Sequence, residues 1–374
     1  MTPLSPAPPP APRGALPDLL QSVEQSLAGA GVTLTTSGST GHPKRVAISA
    51  EALHASALAT AERVGGHGHW LLALPTDHIA GWQVVARSVL AGTVPARLDG
   101  PFTVEAFISA AAGVTGAPRL VSLVPTQLLR LLDDPAGRSA VADFDAVLVG
   151  GAALPTPVLQ RAEAAGVSIH RTYGMTETSG GCVYDETPLS GVQVTLDEGR
   201  VLLGGPVLAR EYLGDPTLTA ERFTTDSSGQ RWFRTDDVGE LDVSGRLRLL
   251  GRADDVINTG GLKVAPRPVE DALTGLSEVR EALVLGVPDP EWGQRVAAVL
   301  VPQLPSAPAR RPSTEAVRDL LRDQLPTHAL PRQVVWLEQL PVLPSGKPDR
   351  GALRTLCAGE SGTMGPYRGS AGVN

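Results

Sequence analysis

The chain has 374 residues, of which 42% are hydrophobic, 19% charged and 4% aromatic, and its formal net charge is −7. That length is sufficient for two domains, and the acidic balance argues against nucleic-acid binding, which requires a clustered excess of Lys and Arg. No segment has the apolar core of a signal peptide or the roughly 20 apolar residues of a membrane-spanning helix, so we expect a cytoplasmic protein without membrane insertion.

Residues 1–14 contain six prolines, which remove backbone donors and block helix formation, so this segment is predicted to be a disordered lead-in. Beyond it, apolar runs alternate with amphipathic stretches. Strands are predicted at 32–34, 71–74, 120–124 and 146–149, and helices at 83–90, 126–132 and 157–165. This alternation is typical of a layered α/β domain with functional loops at the strand ends, and we assign residues 15–253 to it.

Residues 254–357 are predicted to form a smaller α+β domain. Its apolar and amphipathic segments lie at 264–273, 282–286, 295–301, 314–324 and 333–337, with a surface loop at 302–312. The tail, 358–374, is rich in Gly and Ser and is expected to be flexible because it has little to bury. Cys182 and Cys357 stand far apart in a sequence without a His cluster, which predicts neither a disulfide nor a structural zinc site and fits the reduced cytosol.

The ten residues 35–44 have the composition of a phosphate-binding loop. Gly38 and Gly41 permit backbone conformations that turn amides toward an anion, and Lys44 adds positive charge. Further hydroxyl donors are Thr36, Ser37, Ser39 and Thr40. It is not a Walker loop, because Pro43 separates the glycine from the lysine. The alternative interpretation of this stretch is a flexible Ser/Gly linker.

Lysine is rare in this sequence. Lys44, Lys263 and Lys347 are the three lysines, and Arg supplies the remaining positive charge. A lysine retained under such a bias is a candidate for a site that needs a compact ammonium. Lys347 belongs to the segment 343–350, which on its own is equally typical of an exposed turn.

Six segments, taken in order, resemble the signatures of the adenylate-forming superfamily, which includes the acyl-CoA synthetases. They are 35–44, 150–154, 173–178, 235–237, 251–264 and 343–350. The resemblance covers about 16–356 and implies a large N-terminal α/β domain with a small, mobile α+β C-terminal domain. Because the phosphate loop begins early for this superfamily, the resemblance also implies that much of the N-terminal subdomain is absent.

The resemblance implies a set of ATP contacts. Thr176 would contact the α-phosphate, Glu177 would hold Mg²⁺, and Asp237 would receive both ribose hydroxyls, although Asp236 replaces the usual glycine. The other implied nucleotide contacts are Gly151, Ala152, Tyr173 and Gly174 near the adenine, Arg252 at the ribose, and the loop 35–44 at the phosphates.

The resemblance also implies roles in the C-terminal domain. Lys347 would be catalytic, bridging carboxylate and phosphate oxygens during adenylation, and Asp254 would be the hinge between two half-reactions. Gly260 and Gly261 would form the pantetheine tunnel for coenzyme A. Lys263 stays open between a contact to a coenzyme A phosphate and a solvated surface charge.

The segment 74–81 contains His78, which in this superfamily lines the acyl pocket, and Arg87 follows nine residues later on a predicted helix. A buried guanidinium needs an anion, so Arg87 favours an acid with a second carboxylate. The alternative is that Arg87 lies on the solvent side of the helix and contributes solubility.

Three segments resemble the o-succinylbenzoate–CoA ligases, which serve menaquinone biosynthesis: 78–87, 122–132 and 172–184. This resemblance implies that Arg87 binds the aromatic carboxylate, that Ser179, Gly180 and Gly181 shape the acyl wall, and that ATP activates the aliphatic carboxylate before transfer to coenzyme A.

Two rival functions remain at this point. One is another acid–thiol ligase of the same superfamily, acting on a different aryl or short-chain acid or loading a carrier protein. The other is a nucleotide-binding regulator without catalysis, which would predict loss of Lys347, Glu177 or Asp237, whereas all three are present. The sequence leaves the oligomeric state open, a homo-oligomer included.

Overall fold

The structure is a computed structural model that describes residues 15–36, 43–303, 311–342 and 348–359. The described residues divide into two compact units, the first ending at Leu249 and the second beginning at Leu250. The predicted lead-in at 1–14, most of the predicted loop at 302–312 and nearly all of the predicted tail lie outside the described residues.

The first unit contains α-helices and strands in alternation. Its helices are α1 (Leu16–Gln25), α2 (Ala50–Val64), α3 (Ile79–Leu90), α4 (Val104–Ala111), α5 (Pro125–Asp133), α6 (Pro135–Ala142), α7 (Thr156–Ala164) and α8 (Pro216–Arg222). Its strands are β1 (Val32–Thr36), β2 (Lys44–Ile48), β3 (His69–Leu72), β4 (Ala96–Arg97), β5 (Arg119–Leu123), β6 (Ala146–Val149), β7 (Ile169–Met175), β8 (Gly180–Tyr184), β9 (Thr187–Pro188), β10 (Gln193–Asp197), β11 (Arg200–Gly204), β12 (Glu211–Tyr212), β13 (Phe223–Thr225), β14 (Arg231–Leu241) and β15 (Leu247–Arg252). The division between the units falls within β15.

A seven-stranded sheet in the order β4-β3-β5-β6-β7-β8-β9 forms the centre of this unit. The strands from β4 to β7 are parallel, whereas β8 and β9 are antiparallel to their neighbours. Alternate residues of β5 enter two different cores: Leu120 packs in one, and Val121 and Leu123 pack in the other. Burial on both faces explains why these strands have near-continuous apolar sequences.

The sequence pattern predicted that these strands and helices exist, but it predicted their first and last residues less accurately. The strand predicted at 146–149 has those bounds, and the one predicted at 120–124 is shifted by one residue. The strand predicted at 71–74 was wrong at its end, because β3 stops at Leu72. The chain then packs against Gly81, where a Cβ would lie 2.2 Å from the Pro75 carbonyl oxygen. That close approach lets α3 begin at Ile79, earlier than the predicted start at residue 83.

Two smaller sheets complete the first unit. A three-stranded sheet has the order β1-β2-β12, and an antiparallel sheet has the order β10-β11-β14-β13, with β15 paired to β14. The β1–β2 pair brackets the predicted phosphate loop, because Thr36 is the register partner of Lys44.

The second unit has its own core. Its helices are α9 (Pro266–Thr274), α10 (Thr314–Leu321) and α11 (Arg350–Gly359), and its strands are β16 (Ile257–Thr259), β17 (Leu262–Val264), β18 (Val279–Asp289), β19 (Gly293–Pro302) and β20 (Gln333–Trp336). The sheet order is β17-β16-β19-β18, with β20 parallel to β19. This is the α+β arrangement that the sequence predicted. Within the described part of either unit, no helix is long and apolar enough to cross a membrane.

Candidate active site

The described ends of the phosphate-loop motif are held opposite each other at the loop end of the β1–β2 hairpin. Thr36 and Lys44 are paired in register there. The predicted contacts between them lie outside the described residues: Ser37, Gly38, Ser39, Thr40 and Gly41. The hairpin thus fixes the positions at which this segment leaves and rejoins the sheet.

Lys44 is close to the side chain of Glu177 through a shared neighbour, Tyr212. The Tyr212 hydroxyl donates a hydrogen bond to Glu177 Oε1 at 2.8 Å, and the Lys44 ammonium lies 5.6 Å from the centre of the Tyr212 ring. Burial raises the pKa of Glu177, while the Tyr212 hydrogen bond and the charge of Lys44 lower it. A buried carboxylate beside a lysine is the combination expected where a metal ion and phosphates share a site.

The β7–β8 hairpin positions Glu177, because the 3₁₀ turn Thr176–Thr178 joins the two strands. Gly174 packs against β8 so closely that a Cβ there would lie 2.1 Å from the Gly180 carbonyl oxygen. Ser179, directly after the turn, is buried in the left-handed conformation with φ of 56°. Its hydroxyl donates to the Val207 carbonyl oxygen at 2.8 Å, which holds this strained residue in place.

Tyr173 and Asp237, both predicted nucleotide contacts, meet directly. The Tyr173 hydroxyl donates to Asp237 Oδ2 at 2.7 Å. Burial raises the pKa of Tyr173 well above its ordinary value, and the nearby Asp237 carboxylate raises it further. The Asp237 amide donates to Thr235 Oγ1 at 3.0 Å, so this carboxylate is oriented from both its backbone and its side chain.

Asp236, which stands where the superfamily usually has glycine, points to a different set of partners. Its Oδ1 accepts hydrogen bonds from Arg222 at 2.5 Å and from Arg200 at 3.4 Å. Asp236 therefore belongs to an ion-pair network beside the predicted ribose-binding carboxylate.

The predicted adenine turn follows β6. Gly150 lies against β7, where a Cβ would be 2.2 Å from Thr172 Oγ1, and Gly151 has a φ of +80°. Gly151 and Ala152 are exposed. The carboxyl ends of neighbouring parallel strands, β6 and β7, thus bring this turn and Tyr173 to the same edge of the sheet.

Arg87 is 5% exposed, so the interpretation that it lies on the solvent side of its helix was wrong. Its Nη2 donates to Thr60 Oγ1 at 3.1 Å, and its guanidinium lies 5.2 Å from the centre of the Trp70 ring. Among the described residues its Nε has no hydrogen-bond partner, and no carboxylate forms an ion pair with it. Burial lowers the pKa of Arg87, and neighbouring Tyr184 opposes that shift.

Gly180 lies next to side chains of α2 and α3, and Gly181 lies against Tyr184. A Cβ on Gly180 would lie 3.6 Å from Gln83 Cγ, and one on Gly181 would lie 2.8 Å from the Tyr184 ring. Two of the three predicted acyl-wall residues, Ser179 and Gly180, therefore lie beside the helix that carries Arg87. His78 precedes α3 with a 59% exposed side chain, 4.0 Å from Asp77, and its role in the acyl pocket stays a prediction.

The second unit carries the other predicted residues. Arg252 lies 3.5 Å from Asp254, whose side chain is 75% exposed. Gly260 and Gly261 form the turn between β16 and β17, and Lys263 is exposed on β17. Lys347 lies outside the described residues, between Val342 and Pro348, which form a bridge.

Arg350, three residues after Lys347, anchors the start of α11. It pairs with Asp255 at 3.4 Å and with Glu270 at 3.3 Å. Burial raises the pKa of Glu270, while the charge of Arg350 lowers it.

Three residues that contact predicted site residues were not predicted from the sequence: Thr60, Tyr184 and Tyr212. No local sequence pattern indicates that Tyr212 contacts Glu177, because β12 is placed there by its pairing with a distant strand, β2. Thr60 did have one: α2 is rich in Ala, yet carries Ser56 and Thr60 one turn apart on its buried face.

Two family models match this chain. The model described as AMP-binding enzyme matches residues 30–244, and the model described as AMP-binding enzyme C-terminal domain matches residues 268–347. The probable 2-succinylbenzoate–CoA ligase of Mycobacterium tuberculosis is 44% identical over 335 residues, which cover 88% of this chain and 85% of that relative.

The chain is also similar to solved structures of other enzymes. The o-succinylbenzoate CoA synthetase of Bacillus subtilis, in complex with the acyl-adenylate intermediate OSB-AMP, has a TM-score of 0.71 and 27% identity, covering 86% of this chain and 68% of that one. An amide bond synthetase from Marinactinospora thermotolerans has a TM-score of 0.76 and 30% identity, covering 88% of this chain and 69% of that one.

Proposed function

The chain belongs to the AMP-binding enzyme family, and we propose that it is an ATP-dependent ligase that joins o-succinylbenzoate to coenzyme A. The observation that carries the choice of acid is Arg87, a buried guanidinium that lacks an ion-pair partner within the described residues and lies one helical turn from Gln83, which contacts the predicted acyl wall. An acid with a second carboxylate supplies the missing anion. The 44% identity to a probable 2-succinylbenzoate–CoA ligase supports the same acid.

The first half-reaction forms an acyl-adenylate. An oxygen of the aliphatic carboxylate attacks the α-phosphorus of ATP, the bond from that phosphorus to the bridging oxygen breaks, and pyrophosphate leaves. No proton is transferred in this displacement, so the protein contributes position and charge. We assign the α-phosphate contact to Thr176, the ribose to Asp237, and the bridging of carboxylate and phosphate oxygens to Lys347.

Tyr173 contributes to nucleotide binding by orienting Asp237. Its hydroxyl donates a hydrogen bond to Asp237 Oδ2 at 2.7 Å. The turn at Gly151 and Ala152 is exposed at the same edge of the sheet. We assign this edge to the adenosine, with Gly174 required for the close packing that brings Tyr173 and Glu177 into place.

Glu177 fits a Mg²⁺ ion bound together with ATP. Its carboxylate is buried, its Oε1 is held by the Tyr212 hydroxyl, and Lys44 lies nearby for the phosphates. Mg²⁺ in nucleotide sites takes one or two carboxylates and substrate phosphates as ligands. When bound, the ion would offset the repulsion between the two anionic substrates.

The second half-reaction transfers the acyl group. The thiol sulfur of coenzyme A attacks the acyl carbon, the carbon–oxygen bond to the phosphate breaks, AMP leaves, and the thiol proton is lost to solvent. We assign the hinge between the half-reactions to Asp254, the ribose contact in the second unit to Arg252, and the passage for the pantetheine to Gly260 and Gly261. In this assignment residues 15–253 adenylate the acid and residues 254–357 supply Lys347 and the acceptor contacts.

The test is ATP–pyrophosphate exchange with purified protein and a panel of acids. Exchange that depends on o-succinylbenzoate, and not on benzoate or a medium-chain fatty acid, is the expected result. Exchange with a different acid would retain the adenylation chemistry and reject the proposed substrate. Absence of exchange with every acid would instead favour a nucleotide-binding protein without catalysis.

A further inference from the structure

The interface between α2 and α3 contains four buried polar side chains in two layers. Ser56 and Thr60 lie one turn apart on α2, and Gln83 and Arg87 lie one turn apart on α3. All four are buried, in a helix pair whose other contacts are mainly apolar. Each layer also includes one residue of the segment that begins with Ser179 and continues as β8.

The first polar layer consists of Ser56, Gln83 and Ser179. The Ser179 carbonyl oxygen accepts from Ser56 Oγ at 2.9 Å and from Gln83 Nε2 at 2.8 Å. Ser179 has the left-handed backbone conformation noted above, and Gly180 follows it. Both helices thus hold the start of the predicted acyl wall.

The second polar layer consists of Thr60, Arg87 and Tyr184. Thr60 Oγ1 accepts from Arg87 Nη2 at 3.1 Å and is also 3.1 Å from the Tyr184 hydroxyl. The Tyr184 ring fills the space beside Gly181. A guanidinium has five N–H donors, of which Thr60 and Tyr184 engage two, so donors that include Nε remain for an anion.

These layers are poorly explained as devices for stability. Burying polar groups is costly unless each is paired, and an apolar interface of similar volume is often at least as stable. Two members have an unpartnered polar atom in the described parts of the chain, Gln83 Oε1 and Arg87 Nε, and of these only the Arg87 Nε is a donor that an anion can accept from. The hydrogen bonds that are made restrict the direction of its planar guanidinium, which favours binding of a planar carboxylate.

We propose that Thr60 and Tyr184 are positioning residues that orient Arg87 toward the non-reacting carboxylate of the substrate, and that they determine selectivity for a diacid over the corresponding monoacid. The proposal rests on the proposed function, since it requires that Arg87 binds a substrate carboxylate. The first polar layer, by contrast, acts on the backbone of the acyl wall.

The experiment measures the selectivity ratio, kcat/KM for o-succinylbenzoate divided by kcat/KM for 4-oxo-4-phenylbutanoate, the same acid without the aromatic carboxylate. Thr60→Val and Tyr184→Phe each remove a hydroxyl and keep the shape. Each is expected to lower the ratio about tenfold, equivalent to about 1.4 kcal/mol, through a higher KM for the diacid. The kcat/KM for the monoacid should stay unchanged, which a general structural defect would not allow.

Two control variants make the comparison specific. Thr60→Ser keeps the hydroxyl and should retain the wild-type ratio. Ser88→Ala removes another buried hydroxyl of α3, one that bonds within its own helix to the Val84 carbonyl oxygen at 2.9 Å, and should also leave the ratio unchanged. In an Arg87→Met background, Thr60→Val should have no further effect on the ratio, because both changes act through one guanidinium.

These measurements distinguish failure of the positioning proposal from failure of the proposed function. If the wild-type protein discriminates between the two acids and Thr60→Val and Tyr184→Phe retain that ratio while lowering the melting temperature, the second polar layer is structural and the positioning proposal is wrong. Full additivity with Arg87→Met would also overturn it. If the wild-type protein itself shows no preference for the diacid, the proposed function fails and the positioning proposal fails with it.

Discussion

Replacing Arg87 by Met separates what this side chain does for binding from what it does for stability. Met keeps a long apolar side chain and removes the guanidinium. In the ligand-free protein that group donates a hydrogen bond to Thr60 at 3.1 Å and has no ion-pair partner among the residues described. Its charge is therefore desolvated without a neutralising anion.

Replacing Arg87 by Met changes the free energy of unfolding through two contributions of opposite sign. The lost hydrogen bond contributes about 1 kcal/mol, whereas removal of an uncompensated buried charge relieves a desolvation cost of several kcal/mol. We expect the free energy of unfolding of ligand-free Arg87→Met to equal or exceed that of the wild type. Loss of charge-assisted hydrogen bonds to the substrate, about 3 kcal/mol in total, should raise the KM for o-succinylbenzoate about 100-fold, with little change in the KM for ATP.

Urea unfolding without ligand and pyrophosphate exchange measure the two quantities. Arg318→Met is a matched control, because Arg318 donates to the carbonyl oxygens of Leu330 and Pro331 and its loss should lower stability without changing the substrate KM. If Arg87→Met instead loses about 3–5 kcal/mol of stability, as expected for a broken buried ion pair, then Arg87 has an anionic partner within the protein and the argument for a diacid fails. An unchanged KM for o-succinylbenzoate would refute it independently.

Three further predictions concern other parts of the molecule. Tyr173→Phe removes the donor to Asp237 Oδ2 and should raise the KM for ATP about fivefold to tenfold at unchanged kcat; an unchanged KM would show that Asp237 needs no such orientation. Lys347→Ala should abolish pyrophosphate exchange and spare thioester formation from a synthetic acyl-adenylate; equal loss of both would reject its role in adenylation. Burial raises the pKa of the Glu270 carboxyl above its ordinary 4.5. The folded protein therefore keeps Glu270 protonated to a higher pH than the unfolded chain does. The stability that the protonated carboxyl contributes is lost as pH rises through the pKa of the folded state. Urea unfolding across that range should show the stability difference between wild type and Glu270→Gln falling with pH, and a constant difference would contradict the sign.

Local sequence patterns predicted the elements that depend on local periodicity. The apolar run at 146–149 is a strand with both faces buried, and its composition indicates that environment directly. The ends of elements were less predictable, since the early start of α3 depends on the contact of Gly81 with Pro75, six residues before it in sequence.

The site shows the same limit. Arg87 was predicted from its spacing after His78 and from family resemblance, but its partners Thr60 and Tyr184 come from another helix and from a strand far along the chain. The Tyr212–Glu177 hydrogen bond likewise depends on strand pairing over a long separation. Residue types and spacing identify which groups carry charge, whereas tertiary packing decides which neighbours neutralise or orient them.

The two glycines of the predicted acyl wall restrict how the proposed acid site can be redesigned for other acids. A side chain at Gly181 would collide with the Tyr184 ring, and one at Gly180 would meet only ordinary contacts but would require a φ of +107°. Mutations that alter the substrate range are therefore easier to accommodate on the helix side at Ile79, whose side chain already faces Gly180, than at Gln83, which holds the Ser179 carbonyl oxygen. A directed-evolution library should vary Ile79 and keep Gln83, Arg87 and the hairpin glycines fixed.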